Sequence, residues 1–557
     1  MVLIPVCSLS DLDIYRPDER TRDLARKLDC CELTAAVLDS RNSCEDRCKA
    51  MLEMPSLRGL LSDLNLGRAA GPARELWAKA LPGKKVFVYG DYDVDGVSST
   101  VIALELAQQS GAASVVYYIP DRRSEGYGLH AARMRQIIAD GFDTLIVADC
   151  GSKDVEAVEL AKAAGINVMI FDHHVAEGGV VSLDTLVNPH VDGDASAKTL
   201  CAAAVLWCWA WQTKILPERR LAELLQLAAL ATISDCMPLG ALNRAITREG
   251  IAMMRRSPRR GLRELMMALC PGDSPAMIDE NRLSMRIIPC LNAAGRVEVA
   301  DVAVNVLSGM GSQVELGRSV EELLSLNRRR RDISTSICAS INAELSRGET
   351  AQVLFDGSWP VGILSAIASR LCCEHNKAFA LAAPSGNGIR GTLRVPAGAN
   401  AVELLKSLDD LLEAWGGHKS AAGFSVDQLK WPRLSRELDA LLKGIKVENQ
   451  PEEVIEFEPD RITDAMWDEV QRVGPFGTGN PSPTFFVPLG MDTVFEPLGK
   501  RGLHTKVRFG GNSLIAFNGA SQIRRTEGIR GWIYRPRPNM WQGRTSLQYI
   551  VEGIVVA

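Results

Sequence analysis

Between residues 85 and 174, short apolar runs alternate with amphipathic stretches, and three of the runs stop at an acidic residue. Lys85–Tyr89 is β-branched and aromatic, and it leads into Asp91-Tyr92-Asp93-Val94-Asp95-Gly96. Thr144–Ala148 ends at Asp149-Cys150-Gly151, and Ile166–Phe171 ends at Asp172-His173-His174. A fourth apolar run, Ser114–Ile119, lies between them, and helical patterns fill 97–109, 130–139 and 154–164. Continuous apolar runs separated by helices predict a parallel sheet covered on both faces. Such a sheet gathers its ligand site at the carboxyl ends of its strands, which is where the acidic motifs fall. The expected fold class is therefore α/β with a parallel sheet.

At roughly 100–200 residues per domain, a chain of 557 residues needs several domains. Residues 1–80 read as an N-terminal region of short polar helices. Residues 81–312 carry the alternating pattern and a mostly helical stretch, 199–269, interrupted at Ser234-Asp235-Cys236-Met237-Pro238. A long helix is predicted over 313–346. There Val320 and Leu324, then Ile333, Ile337, Ile341 and Leu345, repeat at i+4 along one face. Its polar side carries Arg328-Arg329-Arg330-Arg331, read as a solvated face. A second, smaller α/β unit is expected over 347–445. The charged stretch 444–460 reads as a linker into a small all-β domain over 446–557, dense in short strands and turns.

The net charge of −5 argues against a globally basic surface, although an acidic site can hide a basic groove in the total. The fourteen cysteines are scattered without a CxxC pair, as expected of free thiols in a reducing compartment. The start, Met1-Val2-Leu3-Ile4-Pro5, has no basic n-region. The longest apolar stretch, Leu200 to Trp211, falls short of the ~20 residues that span a bilayer. The expectation is a cytoplasmic protein without a membrane segment.

The acidic motifs carry the chemistry. On an extended segment, residues two apart face the same side, so Asp91, Asp93 and Asp95 would converge. Their repulsion calls for cations, and hard oxygen ligands suit Mg²⁺ or Mn²⁺. An EF-hand is excluded, because no Glu stands at the twelfth position of a loop opened by Asp91. Asp149 and the Asp172-His173-His174 run end the following strands. Asp235 sits in an apolar helical region, where a lone carboxylate is costly unless paired or ligating. His173 adds an imidazole ligand. Five carboxylates and an imidazole can hold two metals about 3.5–4 Å apart, the arrangement that serves in-line displacement at phosphorus.

These motifs, with Ser234-Asp235-Cys236-Met237-Pro238-Leu239, resemble the four motifs of the DHH phosphoesterase superfamily. Further segments resemble its RecJ-type single-strand-specific exonucleases. They are Ile119-Pro120-Asp121-Arg122 with Glu125-Gly126-Tyr127-Gly128-Leu129, then Leu291-Asn292-Ala293-Ala294-Gly295-Arg296, then Trp359-Pro360-Val361-Gly362-Ile363. Gly417-His418-Lys419-Ser420-Ala421-Ala422-Gly423 and Pro475-Phe476-Gly477-Thr478-Gly479-Asn480-Pro481 complete the set. The resemblance covers residues 80–557 and leaves the first 80 unexplained.

The resemblance implies a parallel-sheet DHH domain joined by the long helix to a DHH-associated domain, followed by an OB-like β-barrel that binds nucleic acid. It implies 5′-to-3′ digestion of single-stranded DNA to 5′-mononucleotides with two Mn²⁺ or Mg²⁺ ions, in DNA repair and recombination. Carried over by position, Asp91, Asp93, Asp95, Asp149, His173 and Asp235 are expected metal ligands. Asp172 is an orienter or ligand, and His174 contacts the scissile phosphate. Arg122 and Tyr127 are expected at the DNA 5′ end, and Thr392 and Arg394 near its terminal phosphate. Asn292, Arg296, Gly417 and His418 complete the substrate contacts. The expected partners are single-stranded DNA, a helicase and a single-strand-binding protein, with the chain itself a monomer. Cys290 stands where many relatives carry Arg, and Asp121 where they carry Asn. The competing reading is a DHH phosphoesterase for short oligonucleotides or cyclic dinucleotides, whose members usually lack the C-terminal β domain.

Overall fold

The computed structural model describes residues 4–41, 44–122, 124–175, 179–272, 274–348, 350–386, 388–445, 451–499, 502–541 and 544–557. These form two compact units. One holds Arg58–Met237 and Glu249–Glu448, and the other Met1–Leu57, Pro238–Arg248 and Asn449–Ala557.

In the first unit the apolar runs pair as a five-stranded sheet, parallel throughout. The order is Ser114–Tyr118, Lys85–Tyr89, Thr144–Ala148, Asn167–Phe171, Leu186–Val187. Alternation along each strand divides its side chains between two faces. Phe87, Tyr89, Leu145, Val147, Val168 and Ile170 pack with Met134 and Ile137 of helix Ala131–Ala139 and with Ala157, Val158 and Ala161 of helix Val155–Ala163. Helices Val94–Gln109 and Ala202–Thr213 pack against the same sheet, and the rings of Phe171 and Trp209 lie 4.8 Å apart. Full burial of a side chain such as Phe171 stabilises by about 1.5–3 kcal/mol, so the two covered faces supply most of what holds the strand ends in place.

The long helix runs Gln313–Ser346 and is about 50 Å long at 1.5 Å per residue. Ser312 and Glu315 cap its start reciprocally. Its first half packs on helices Ile288–Val297 and Asp301–Ser308. In its second half, Ile337, Cys338 and Ile341 pack on Ile363, Leu364, Ile367 and Leu371 of helix Val361–His375. That helix covers a second five-stranded sheet, ordered Ala414–His418, Ala421–Asp427, Gly388–Arg394, Phe379–Ser385, Val353–Phe355. Its pairings are antiparallel except the last.

The other unit is built on a nine-stranded sheet, and here the structure differs from the expectation for residues 1–80. Two strands accompany the helices of this region. Val6–Ser8 pairs in parallel with the end of Arg544–Val556, and Leu12–Tyr15 pairs in parallel with Glu452–Glu456. Strands of three and four residues are too short to show a period, and their partners lie at the far end of the sequence. The motif Pro475–Pro481 forms a socket in this unit. The Thr478 carbonyl accepts from Leu239 N (2.7 Å), and Arg244 donates to the carbonyls of Gly474 (3.0 Å) and Arg472 (2.9 Å).

The fourteen cysteines are free thiols. Among the described residues, no helix is long and apolar enough to cross a membrane.

Candidate metal centre

The chain turns directly from strand Lys85–Tyr89 into helix Val94–Gln109. Asp93 caps that helix, its Oδ1 accepting from Asp95 N (2.9 Å) and Gly96 N (3.1 Å). The three carboxylates therefore do not alternate along an extended segment, as the sequence reading assumed. Asp91 precedes the helix, Asp93 caps it, and Asp95 lies in its first turn. The cause is local: an Asp followed by two free N–H groups makes a helix cap, and this wins over continued strand. Helix Ile288–Val297 closes over the turn. Asn292 Oδ1 accepts from Val94 N (3.1 Å), and a Cβ at Gly295 would overlap the Tyr92 carbonyl.

Asp95 is held in an unexpected way. Its two oxygens accept from Ala202 N and Ala203 N, both at 2.8 Å, at the positive end of helix Ala202–Thr213. The other oxygens are less well supplied. Asp91 Oδ1 and Asp149 Oδ1 are buried without a hydrogen-bond partner among the described residues. Asp149 also sits in the left-handed region at φ 66°, which costs a non-glycine residue on the order of 1–3 kcal/mol.

His173 Nε2 lies 3.4 Å from Asp149 Oδ1, 3.6 Å from Asp95 Oδ2 and 3.7 Å from Asp235 Oδ2. Three overlapping groups each bring their ligand atoms within 4.8 Å of one another: Asp91–Asp93–Asp149, Asp95–His173–Asp235 and Asp149–His173–His174. Asp172 has a different part. Its Oδ1 accepts from His173 N (2.7 Å), His174 N (3.2 Å) and His174 Nδ1 (2.8 Å), and its Oδ2 from Ser152 N (3.3 Å). Its Oδ1 is thus spent on orienting the two histidines and its Oδ2 on Ser152.

The electrostatics match this division. Burial, then the charge of Asp93, push Asp91 well above the usual carboxylate range. Burial and the charges of Asp95, Asp93 and Asp91 do the same to Asp149. Asp95 is raised by burial against the opposing pull of His173, and Asp235 is raised to about 8 by burial with Asp95 and Asp93. Burial lowers His173, which favours the neutral, ligating imidazole. For His174 burial acts in the same direction, but the hydrogen bond and charge of Asp172 outweigh it and raise the group to about 9. Clustered carboxylates short of positive charge, with bare oxygens facing an imidazole, fit a pair of hard divalent cations.

A basic group lies beside the cluster. Arg122 stacks over the Tyr92 ring at 4.8 Å. Arg296 is half-buried, and its buried Nη1 lacks a partner among the described residues. Burial, then the charges of Arg122 and Arg330, lower it to about 10. Arg394 donates to Ser369 Oγ (2.7 Å) and to Ser365 Oγ, and the Arg122 charge reaches it as well. Thr392 is buried on the same strand as Arg394. Tyr127 reaches His174 Nδ1 (3.0 Å) through its hydroxyl.

Gly417 and His418 stand apart, on the exposed strand Ala414–His418, and no contact joins them to the carboxylates among the described residues. At φ 150°, Gly417 has no room for a Cβ, which would overlap the Ala421 carbonyl. Several contributors escaped the sequence reading. Asn188 donates to Ser152 Oγ and to the His174 carbonyl, both at 3.0 Å. The N–H groups of Ala202 and Ala203 leave no trace in side-chain chemistry. Arg330, read as part of a solvated face, is half-buried with Nε unpartnered among the described residues. Its i+3 bond to Asn327 (3.0 Å) was the available signal.

Three family profiles match the chain in order: the DHH family N-terminal domain over residues 85–232, the DHHA1 domain over 348–446 and the RecJ OB domain over 455–553. The single-stranded-DNA-specific exonuclease RecJ of Bacillus subtilis is 31% identical over 491 residues, which is 85% of this chain and 62% of that protein. RecJ of Dickeya dadantii is 27% identical over 538 residues, covering 89% of this chain and 92% of the relative. The chain thus spans less than two thirds of the first of these and nearly all of the second. The crystal structure of Thermus thermophilus RecJ in complex with Mn²⁺ superposes with a TM-score of 0.76 at 26% identity, over 98% of this chain and 78% of that one. The chain belongs to the DHH superfamily and, within it, to the RecJ family.

Proposed function

We propose that this protein is a metal-dependent exonuclease that hydrolyses single-stranded DNA from the 5′ end and releases 5′-mononucleotides. The observation that carries the reading is the cluster of Asp91, Asp93, Asp95, Asp149, His173 and Asp235, with buried oxygens on Asp91 and Asp149 that no donor among the described residues satisfies. The match to a RecJ OB profile supports single-stranded DNA over a dinucleotide.

Asp91, Asp93 and Asp149 would hold one ion, and Asp95, His173 and Asp235 the other. When bound, Mn²⁺ or Mg²⁺ supplies Lewis acidity toward the phosphoryl group and water at neutral pH. Asp172 fixes the His174 ring, which carries a proton at Nδ1 toward Asp172 and turns Nε2 to the scissile phosphate. Arg122, Arg296 and Arg394, with Thr392, form the anion-binding end of the path and hold the strand's terminal phosphate through guanidinium forks. Gly417 and His418 contact the strand from the associated domain. A helicase and a single-strand-binding protein would supply the strand to a monomeric, cytoplasmic enzyme.

Purified protein with Mn²⁺ should shorten 5′-phosphorylated linear single strands, release label from the 5′ end first and spare circles. Intact linear strands would refute the reading. Asp93→Ala should lower hydrolysis by at least about 1,000-fold, the ~4 kcal/mol scale of a lost charge-stabilising group. Binding of single-stranded DNA, followed by fluorescence anisotropy, should change little.

A further inference from the structure

Tyr127 lies in a loop between strand Ser114–Tyr118 and helix Ala131–Ala139, flanked by Gly126 at φ 87° and Gly128 at φ 102°. Both glycines take conformations other residues resist, so the loop needs outside support to keep one shape. It is pinned on both sides. Upstream, Glu125 Oε2 accepts from Asp121 N (2.9 Å) and from the Tyr118 hydroxyl, and Arg133 lies over the Tyr118 ring at 3.8 Å. Downstream, the buried Tyr89 hydroxyl donates to the Gly128 carbonyl (3.0 Å), and Asp154 Oδ2 accepts from Leu129 N (2.6 Å). Tyr89 ends the strand that leads into Asp91, and Asp154 precedes the helix that follows Asp149. The clamp is therefore anchored on the same strand ends that carry the carboxylates.

The result is one defined position for the Tyr127 hydroxyl. It lies 3.0 Å from His174 Nδ1 and 3.3 Å from the Asp149 carbonyl oxygen. Nδ1 also faces Asp172 Oδ1 at 2.8 Å. The bonds are mutually consistent in one arrangement. The Nδ1 proton is directed to Asp172 and shared with the phenol oxygen, while the phenol proton goes to the Asp149 carbonyl. Nε2 is then left without a hydrogen-bond partner among the described residues.

We propose that Tyr89 and Asp154 are positioning residues. They clamp the peptide of Gly128 and Leu129 so that the Tyr127 hydroxyl, acting with Asp172, locks the His174 ring with Nε2 toward the substrate. This rests on the exonuclease reading and assigns parts to side chains outside its ligand set. It also separates two uses of Tyr127: the ring is free to face a base, whereas the hydroxyl acts on His174.

The test compares Tyr127→Phe, Asp154→Ala and Asp154→Asn in the full chain on 5′-phosphorylated single strands. Mn²⁺ calorimetry and thermal melting serve as checks on the metal cluster and the fold. Tyr127→Phe keeps the ring, so kcat should fall by about 10- to 100-fold while KM stays within about twofold. Asp154→Ala should reproduce that pattern, and Asp154→Asn, which can still accept from Leu129 N, should restore most of the rate. The ¹⁵N resonances of the His174 ring should move in Tyr127→Phe and Asp154→Ala, and stay in place in Asp154→Asn. Unchanged kcat in Tyr127→Phe, failure of Asp154→Asn to rescue, or unmoved His174 resonances would each overturn the proposal. A wild-type protein without nuclease activity would instead remove the exonuclease reading, and the resonances would still decide whether the clamp holds the histidine.

Discussion

Asp149 concentrates three costs in one residue: a left-handed backbone, a buried oxygen with no hydrogen-bond partner among the described residues, and repulsion from Asp95, Asp93 and Asp91. Natural chains keep such strain where the group has a task. Asp149→Asn removes the charge but not the shape. The metal-free variant should therefore melt above metal-free wild type, by several degrees in differential scanning fluorimetry. Adding Mn²⁺ should reverse the order, because only the wild type gains the full linkage stabilisation, about 2.7 kcal/mol at a hundredfold excess over Kd. Equal melting of the two metal-free proteins would mean that the carboxylates are not under strain. The residue types of the cluster were legible because acidic residues at strand ends are rare and expensive. Their division of labour was not. The sequence reading assigned Asp91, Asp93 and Asp95 one common geometry, and only the backbone reveals a helix cap at Asp93 and a helix N-terminus under Asp95.

At the scale of elements, the parallel sheet and the long helix follow from periodicity, since both are runs whose side-chain spacing reports the structure directly. Contacts that depend on a single polar side chain are less visible. One holds helix Trp431–Lys443 against strand Val353–Phe355. There Asp439 Oδ1 accepts from Gln352 N (2.7 Å) and Val353 N (3.2 Å), and Oδ2 pairs with Lys443 at 2.6 Å. Burial would raise this carboxyl, but Lys443 and the two N–H groups outweigh it and leave the group below its usual value. A depressed folded value means stability that is present above the unfolded value near 3.8 and lost as pH falls through the folded one. Asp439→Ala should thus cost about 1 kcal/mol at pH 7, after allowance for solvent screening. The gap to wild type should stay constant down to about pH 4 and close below it. Denaturant titrations at several pH values would measure this, and a gap independent of pH would assign the contact to packing alone.

For the molecule as a whole, the unexplained first 80 residues divide between the two units. Residues up to Leu57 join the unit of the C-terminal sheet and those from Arg58 join the unit of the carboxylate cluster. Helical patterning in 1–80 was readable, whereas the pairing of Val6–Ser8 and Leu12–Tyr15 was not, because no local rule reports a partner hundreds of residues away. Deleting residues 1–15 should bare one side of Glu452–Glu456 and of the end of Arg544–Val556. Unpaired strand edges recruit other chains, so the truncated protein should aggregate or lose the low-temperature part of its melting profile. Mn²⁺ calorimetry should still register the metal site of the other unit. Loss of both together would show that the two units fold as one.

The pairing of Val6–Ser8 with Ile554–Val556 also sets a schedule for synthesis. Chains emerge in order and fold domain by domain as they do. The unit of the carboxylate cluster can close on its own strands while the ribosome is still working, but Val6–Ser8 must wait until residues 554–556 appear. A chain released before residue 554 would thus hold a folded parallel-sheet unit and an unpaired edge at Val6–Ser8.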